Sequence, residues 1–216
     1  MAVTIAHWAE PVPRRAGRGR LALSAVMAKL QREEGMENAE AVVRFWFEET
    51  QPGQWFAKDP VFDGVLRQRF LGLTRQAIAG ELNAWSAEAS QALGLVLVLD
   101  QFPRQIWRDS AMAFAGDSQA LALSLRALEL GWLEAEPEQV RRHFWLMPLM
   151  HSEDLTVQEA GLPLFARFSD PRTADFARRH RDVIARFGRF PHRNAALGRV
   201  SSADELAFLQ TPGSGF

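Results

Sequence analysis

The amino-acid sequence predicts an all-α protein, a stack of about eight or nine antiparallel helices joined by short connections. From Met36 onward, apolar residues recur at spacings of three and four, the period of an amphipathic helix. Aspartate, serine, proline and glycine interrupt this pattern at short intervals, as helix caps and breakers do. The run GLVLVL at 94–99 is strand-like, but no second such run is present to pair with it. We therefore expect a central buried helix there.

Residues 1–35 differ from the rest of the chain and predict a disordered N-terminal extension or a start codon assigned too early. The segment shows no sustained apolar periodicity, and it carries six basic and three acidic residues, for a net charge of +3. A targeting segment or a basic arm is the alternative. We expect residues 36–216 to form a single all-α domain.

The first helices are marked by clear breaks. A dense apolar run around Phe45–Phe47 predicts the first helix, which Pro52 and Gly53 end. Asp59 followed by Pro60 predicts the start of the second, as a cap followed by proline at the first helical position. Its buried stripe is formed by apolar residues three and four positions apart: Phe62, Val65, Leu66, Phe70 and Leu73.

The middle of the chain continues the pattern. Ser86 or Ser90 is expected to begin the central buried helix, and Pro103 to end or kink it. Asp117 is expected to cap the following helix, which Gly131 closes in a left-handed conformation.

The C-terminal part has the same kinds of signal. Pro137 opens a helix whose last turn Pro148 disturbs, and Ser152 is expected to start the next one. The remaining signals are the start at Asp170–Pro171, the stop at Gly188, and the capping-box spacing of Ser202 and Glu205.

Composition excludes several classes of function. The chain has no cysteine and no tyrosine, which rules out thiolate and phenol chemistry. The formal net charge of −1 argues against a general nucleic-acid binder, and no apolar run reaches the roughly 18–20 residues that cross a bilayer. We expect a cytoplasmic protein without a cofactor, a nucleic-acid partner or a membrane span.

A first polar stretch, LDQFPRQIWR at 99–108, follows the central helix. Asp100 ends a buried helix, so its carboxylate needs a partner, and Gln101 lies beside it. Arg104 and Arg108 are four residues apart and share a face if the segment is helical. Either these groups contact a ligand, or Asp100 and Arg104 form a structural ion pair.

A second polar stretch, at 141–154, ends in His151, Ser152, Glu153 and Asp154. A Ser–His–carboxylate triad is disfavoured because sequence neighbours rarely face each other and no nucleophile elbow is present. The histidine spacing matches no diagnostic metal motif, so we expect no metal ion. His151 remains a candidate general base or ligand contact.

The third stretch, RFGRFPHRNAALGR at 186–199, contains four arginines, His192 and Asn194, without a carboxylate. Gly188 and Pro191 place these side chains on a constrained loop. Guanidinium groups bind phosphate or carboxylate through paired donors, so the loop predicts an anion site. The alternative is that each arginine pairs with a carboxylate from elsewhere in the chain.

Several motifs resemble the bacterial family called domain of unknown function 924: LDQFPRQIW, MHSEDLTVQE, FGRFPHRN with the following LGR and SSADE, FWFEE, and FAGDSQALALSLRAL. The resemblance covers Met36 to the C-terminus and implies a tetratricopeptide-like helical fold, without an activity to carry over. Gln105 and Trp107 stand where the family pattern has Asn and Tyr, which argues against a catalytic phenol at that position.

Two functions compete. In the first, the three stretches form a pocket for a small anionic ligand, with or without catalysis. In the second, the helical stack is a scaffold that binds a protein partner. In the pocket, His151 or His192 would transfer a proton, and Asp100 or Glu153 would orient a histidine. The ligand would be held by Arg104, Arg108, Arg189, Arg193, Asn194 and Gln101. The pocket requires Arg104, His151 and His192 to lie within about one ligand's width of each other.

Overall fold

The computed structural model describes residues 38–215, whose regular elements are all helices, with no β-strand among them. The all-α fold class is confirmed. The predicted extension at residues 1–35 lies outside the described residues. In chain order the α-helices are α1 (Ala39–Arg44), α2 (Pro52–Trp55), α3 (Pro60–Ile78), α4 (Ala89–Val96), α5 (Phe102–Ile106), α6 (Asp117–Glu129), α7 (Trp132–Ala135), α8 (Gln139–Met150), α9 (Leu155–Phe168), α10 (Pro171–Phe187) and α11 (Ala203–Leu209). Single 3₁₀ turns occupy Asn83–Ala87, Ala111–Phe114 and Pro191–Arg193.

One large apolar core unites the N-terminal and central helices. Trp46, in the π-helical turn Phe45–Glu49 that continues α1, is fully buried and stacks on Trp55 with ring centroids 5.9 Å apart. The carbonyl of Trp46 accepts hydrogen bonds from the Thr50 hydroxyl (2.6 Å) and the Trp55 indole (3.1 Å). Phe144 of α8 packs edge-on against both indole rings. These contacts hold α1 and α2 against α8.

The GLVLVL run is a buried helix, as predicted, but Pro103 does not end it. The helix passes from α4 through a π-helical turn at Leu97–Gln101 directly into α5. In this turn the backbone N–H of Phe102 donates to the carbonyl of Leu97, five residues back. Proline has no N–H to donate, and the wider turn accommodates it without interrupting the helix.

Several helix-end predictions are confirmed. Asp59 and Asp170 are N-caps. The side chain of each accepts hydrogen bonds from backbone N–H groups of the helix that begins at the next residue, a proline. Ser202 and Glu205 form a reciprocal capping box. Gly131 and Gly188 adopt left-handed conformations with φ of 71° and 68°, the position where glycine is favoured.

The start of α9 differs from the predicted one. Asp154, and not Ser152, is the N-cap: its Oδ1 accepts from the N–H of Thr156 (2.8 Å) and Val157 (3.4 Å). The Ser152 hydroxyl instead accepts from the N–H of Asp154 (3.1 Å), and it shapes the turn before the helix. A carboxylate at this position also complements the positive end of the helix dipole.

Three other helix starts are shifted. Asp117 is the first residue of α6, and its side chain makes no capping hydrogen bond. Its carboxylate binds two arginines instead. Helix α8 begins at Gln139, two residues beyond Pro137, and α4 begins at Ala89, between the two candidate serines.

Gly116 allows α6 to start directly against the π-helical turn. A Cβ at this position would lie 2.2 Å from the carbonyl oxygen of Leu99. Since Leu99 precedes Asp100 and Gly116 precedes Asp117, the close approach of these two backbones places the two carboxylates on facing segments. Glycine is needed here because a backbone atom cannot move aside as a flexible side chain can.

Gly116→Ala is therefore expected to lower the free energy of unfolding by about 1–3 kcal/mol, the usual cost of overpacking. Gly72, on an open face of α3, is the matched control, since a Cβ there meets nothing within 4 Å. Gly72→Ala is expected to stabilise the protein by roughly 0.5–1 kcal/mol through helix propensity. Urea denaturation of both variants measures the difference. Equal effects at the two positions would show that the Leu99 contact is not a constraint.

Candidate functional site

Asp100, in the π-helical turn, is the centre of a buried polar cluster. Its side chain is 0% exposed. Oδ1 lies 2.7 Å from His151 Nδ1 and 3.2 Å from Arg104 Nη1, and Oδ2 accepts a hydrogen bond from the Gln101 amide at 2.6 Å. Arg104 also donates to the backbone carbonyl of Asp100. The two polar stretches at 99–108 and 141–154 therefore meet at this carboxylate.

The charge state of Asp100 determines the tautomer of His151. Burial by itself raises the pKa of Asp100, but the charge of Arg104 and the contact with His151 outweigh it and hold the pKa below its usual range. An ionised carboxylate only accepts hydrogen bonds, so His151 Nδ1 carries the hydrogen and donates it. Burial and the nearby Arg104 charge lower the pKa of His151. The imidazole is thus neutral near pH 7, with its lone pair on Nε2.

Asp117 extends the cluster to the third polar stretch. Its carboxylate is 2.9 Å from Arg104 Nη1, and it accepts from Arg104 Nη2 and Arg193 Nη1 at 3.1 Å each. Arg193 also donates to the backbone carbonyl of His151 at 3.0 Å. Burial, and next the charge of Arg104, lower the pKa of Arg193 to about 10, so the guanidinium stays charged at neutral pH. We name Asp100, Arg104, Asp117, His151 and Arg193 the central cluster.

Aromatic rings enclose the two guanidiniums of the central cluster. Arg193 stacks over Phe114 and Phe190, with its Cζ 4.7 and 4.6 Å from the ring centroids, and Arg104 lies 5.8 Å from the Phe114 ring. Phe190 itself is fully buried. Such stacking orients a guanidinium while leaving its edge free to donate hydrogen bonds.

Two further histidines adjoin the cluster. The His180 ring centroid is 6.4 Å from that of His151, and its Nδ1 donates to the Phe176 carbonyl at 2.8 Å. His192 packs against Phe190 with ring centroids 5.5 Å apart. Burial lowers the pKa of both His180 and His192 to about 3, and Arg193 adds to the shift at His192. Both rings are neutral near pH 7.

Two predicted ligand-binding arginines lie elsewhere in ion pairs of their own. Arg108 donates to the Asp63 carboxylate (2.8 Å) and to the Ala57 carbonyl (2.8 Å). Arg189 forms a two-point pair with Glu205 at 2.6 and 2.8 Å. The alternative stated for the third stretch, that its arginines pair with carboxylates from elsewhere, describes Arg189, and it also describes Arg193 with Asp117 and Arg199 with Glu153.

Glu153 and Asn194 hold the loop at 186–199 and do not contact His151 in the described contacts. Glu153 accepts from Arg199 at 2.9 and 2.8 Å and from the backbone N–H of Phe190 at 2.9 Å. Burial raises the pKa of Glu153, but Arg199 and that backbone N–H outweigh it, so the pKa is lowered. Asn194 donates to the Ser201 hydroxyl at 3.0 Å. The predicted role of Glu153 in orienting a histidine is not supported by these contacts.

Sequence reasoning missed His180, Phe114 and the role of Asp117. His180 lies within the amphipathic pattern of α10, and Asp117 reads as an ordinary helix cap. The motif FAGDSQ contains Phe114 and Asp117 and could have indicated that they belong to the site, but it was used only for the family resemblance. Across residues 38–215, no group of three His, Asp or Glu side chains is placed to hold a metal ion. The same residues include no helix that is long and apolar enough to cross a membrane.

Comparison with known proteins finds a matching family model and a similar solved structure. No protein with a curated description matches this chain. The solved structure of a protein of unknown function from Agrobacterium tumefaciens is similar, with a TM-score of 0.74 and 35% sequence identity, and the match covers 80% of this chain and 96% of that one. The family model described as "Bacterial protein of unknown function (DUF924)" matches residues 42–213, which include the whole central cluster. The chain therefore belongs to the DUF924 family.

Proposed function

We propose that the protein binds a small anionic molecule, bearing a carboxylate or a phosphate, at the central cluster. The observation that carries this proposal is the convergence of three separate polar stretches on two guanidiniums and one oriented imidazole. Arg104, His151 and Arg193 come from segments far apart in the sequence, yet Asp100 and Asp117 join them by direct contacts. A buried network of this density is costly to build for stability alone.

The contacts support particular roles for the residues. Arg104 and Arg193 would bind the anion, because each has planar paired donors and each lies against an aromatic ring. His151 would accept a proton at Nε2, since its Nδ1 is engaged by Asp100 at 2.7 Å. His192 is proposed as a neighbouring hydrogen-bonding group. Proton transfer from a bound ligand to His151 is a separate proposal, and it is based on the Asp100–His151 pair.

The proposed site contains fewer ligand-binding residues than the sequence prediction did. Gln101 belongs to the site indirectly, by donating to Asp100. Arg108 and Arg189 are omitted, because their carboxylate partners, Asp63 and Glu205, lie outside the central cluster and neither arginine contacts a member of it in the described contacts. Asn194 and Glu153 are proposed to hold the loop that carries Arg193. We also propose a cytoplasmic location, as expected from the composition.

Anion titrations followed by thermal unfolding test this function. We expect inorganic phosphate or a small carboxylate to stabilise the wild type, by about 2.7 kcal/mol at 100 times the dissociation constant. Arg193→Lys keeps the charge but loses the paired donors, so the stabilisation should fall strongly. Arg178→Ala is the matched control, because Arg178 is exposed on α10 beside Asp175. If no anion stabilises the wild type, or if both variants respond like the wild type, the proposal is wrong.

An interaction scaffold is the second proposal, and it rests on a groove that shares no lining residue with the central cluster. The groove has a volume of about 670 Å³ and is lined by Asn38, Ala39, Glu40, Val43, Arg44, Glu48, Trp85, Ser90, Gln91 and Arg141. Its lining combines both charges with one half-buried aromatic residue, Trp85, which suits a polar peptide. The anion titration separates the two proposals, because a scaffold gives no anion-dependent stabilisation.

A further inference from the structure

The central cluster contains two carboxylates that differ in how firmly they are held. Asp100 is 0% exposed and is bound by Arg104, His151 and Gln101. The side chain of Asp117 is 21% exposed and touches only the guanidiniums of Arg104 and Arg193 among its described polar contacts. Asp117 can therefore turn toward solvent, whereas Asp100 cannot do so without unfolding of the surrounding segment.

Asp117 is also unlike the other acidic residues at helix starts. Asp59, Asp154 and Asp170 each accept backbone N–H groups of their own helix, but Asp117 makes no such bond. Its Oδ1 has no hydrogen-bond donor with good geometry in the described part of the chain, although Arg104 lies 2.9 Å away. Moving this carboxylate away would therefore cost only its contacts with the two arginines, and an incoming anion would restore them.

The guanidinium of Arg193 has binding capacity left. Arg193 is 6% exposed, and its Nε–H has no acceptor among residues 38–215. A buried donor without an acceptor is costly, and a ligand that accepts from it recovers that cost. The Nε–H lies on the guanidinium edge that it shares with Nη2, the donor to the His151 carbonyl, whereas Asp117 is bound through Nη1. A ligand that also accepts from Nε–H must therefore extend beyond the place of the Asp117 carboxylate.

Charge balance favours a carboxylate as the incoming group. In the described structure the cluster holds two arginines and two carboxylates, which balance. A ligand carboxylate that replaces Asp117 preserves this balance, and it also preserves the planar shape that Arg104 contacts through both terminal nitrogens. A phosphate dianion would add a negative charge to a buried site.

We infer that the place of the Asp117 carboxylate is the binding position for a carboxylate group of the ligand, with Asp117 acting as an internal competitor. This inference rests on the proposed anion-binding function and assigns a ligand class to it. Binding then consists of an exchange, in which Asp117 turns toward solvent and the ligand carboxylate contacts Arg104 and Arg193. With a competitor of this kind, the apparent dissociation constant equals the intrinsic one divided by the fraction of molecules in which the position is open.

Acetate binding to the wild type and to Asp117→Asn tests the exchange. Side-chain NMR of the arginine Nε–H and histidine ring signals gives the dissociation constants, with inorganic phosphate as a second probe. Without the competing charge, we expect acetate to bind about tenfold more tightly, as it would if Asp117 occupies the position in most molecules. Asp117→Ser is a second variant if the asparagine variant does not fold. Asp63→Asn is the matched control, since it frees the two-point-paired Arg108 instead.

The outcomes separate the inference from the proposed function. Tighter acetate binding in the Asp117 variants, but not in Asp63→Asn, supports the exchange. Unchanged or weaker acetate binding in folded Asp117 variants overturns it, as does an equal gain in Asp63→Asn. Binding of phosphate without acetate overturns the carboxylate assignment while the anion site stands. If neither probe binds to any of these proteins, both the inference and the proposed function are wrong.

Discussion

Asp100→Ala is expected to lower the free energy of unfolding by about 3–5 kcal/mol, the usual result of removing one partner from a buried ion pair. The variant leaves Arg104 and the Nδ1–H of His151 without the carboxylate that now contacts both. It also leaves the cluster with two arginines and only one carboxylate. Urea denaturation at neutral pH measures the loss.

The matched control for Asp100→Ala is Asp175→Ala. Asp175 also contacts two arginines, Arg178 and Arg179, but on the exposed face of α10. Exposed ion pairs contribute about 0–1 kcal/mol, so this variant should be close to the wild type. Similar small losses in both variants would mean that the central cluster contributes no more than surface charges.

Acidification is expected to destabilise the protein well above the pH range in which carboxylates titrate. His180 and His192 have pKa values of about 3 in the folded chain, against an ordinary value of 6.5. As the pH falls, these histidines are therefore protonated in the unfolded state before they are protonated in the folded state. The contribution of these histidines is fully present above pH 6.5 and is lost as the pH falls toward 3. Each histidine gives a slope of about 1.4 kcal/mol per pH unit in that window.

The surroundings of the two rings explain why they resist protonation. His180 faces His151, His192 and Arg193, all of which disfavour its charged form, whereas its hydrogen bond to the Phe176 carbonyl favours that form. His192 faces Arg193, His151 and Arg104, with Glu153 as the opposing charge. Burial is the largest cause at both sites. His151 has a lowered pKa as well and acts in the same direction.

Denaturant unfolding between pH 7 and pH 5 measures this effect before carboxylates with ordinary pKa values contribute. The variant His180→Phe, which places an apolar ring beside Phe190, should have a shallower slope than the wild type by about 1.4 kcal/mol per pH unit. A wild-type stability that stays flat from pH 7 to pH 5 would show that the histidines are not buried in neutral form.

Much of the fold could be predicted because its signals are local. Asp59 followed by Pro60, or Ser202 with Glu205, specifies a helix start through residues within one turn of each other. Where two acceptors compete, local reasoning is less precise. Ser152 and Asp154 both precede α9, and only the structure shows which of them bonds the free N–H groups.

The site was predicted in part, because polar residues within apolar stretches of the sequence are costly to bury without a partner and therefore indicate a polar site. Asp100, Arg104, His151 and Arg193 were all selected for that reason. The pairing of each arginine is not a local property, however. Arg108 and Asp63 are 45 residues apart, and Arg193 and Asp117 are 76 apart. The density of arginines in one loop therefore could not reveal which of them were already engaged.

The π-helical turn at Leu97–Gln101 works as a change of phase within one continuous helix. A regular helix rotates by about 100° per residue, and a single wide turn offsets everything that follows it. Before the turn, α4 packs against α1, α6 and α8, whereas α5 after the turn packs against α3. One helix can thus present differently oriented faces to two sets of neighbours. The polar side chains Asp100 and Gln101 fall within the transition itself.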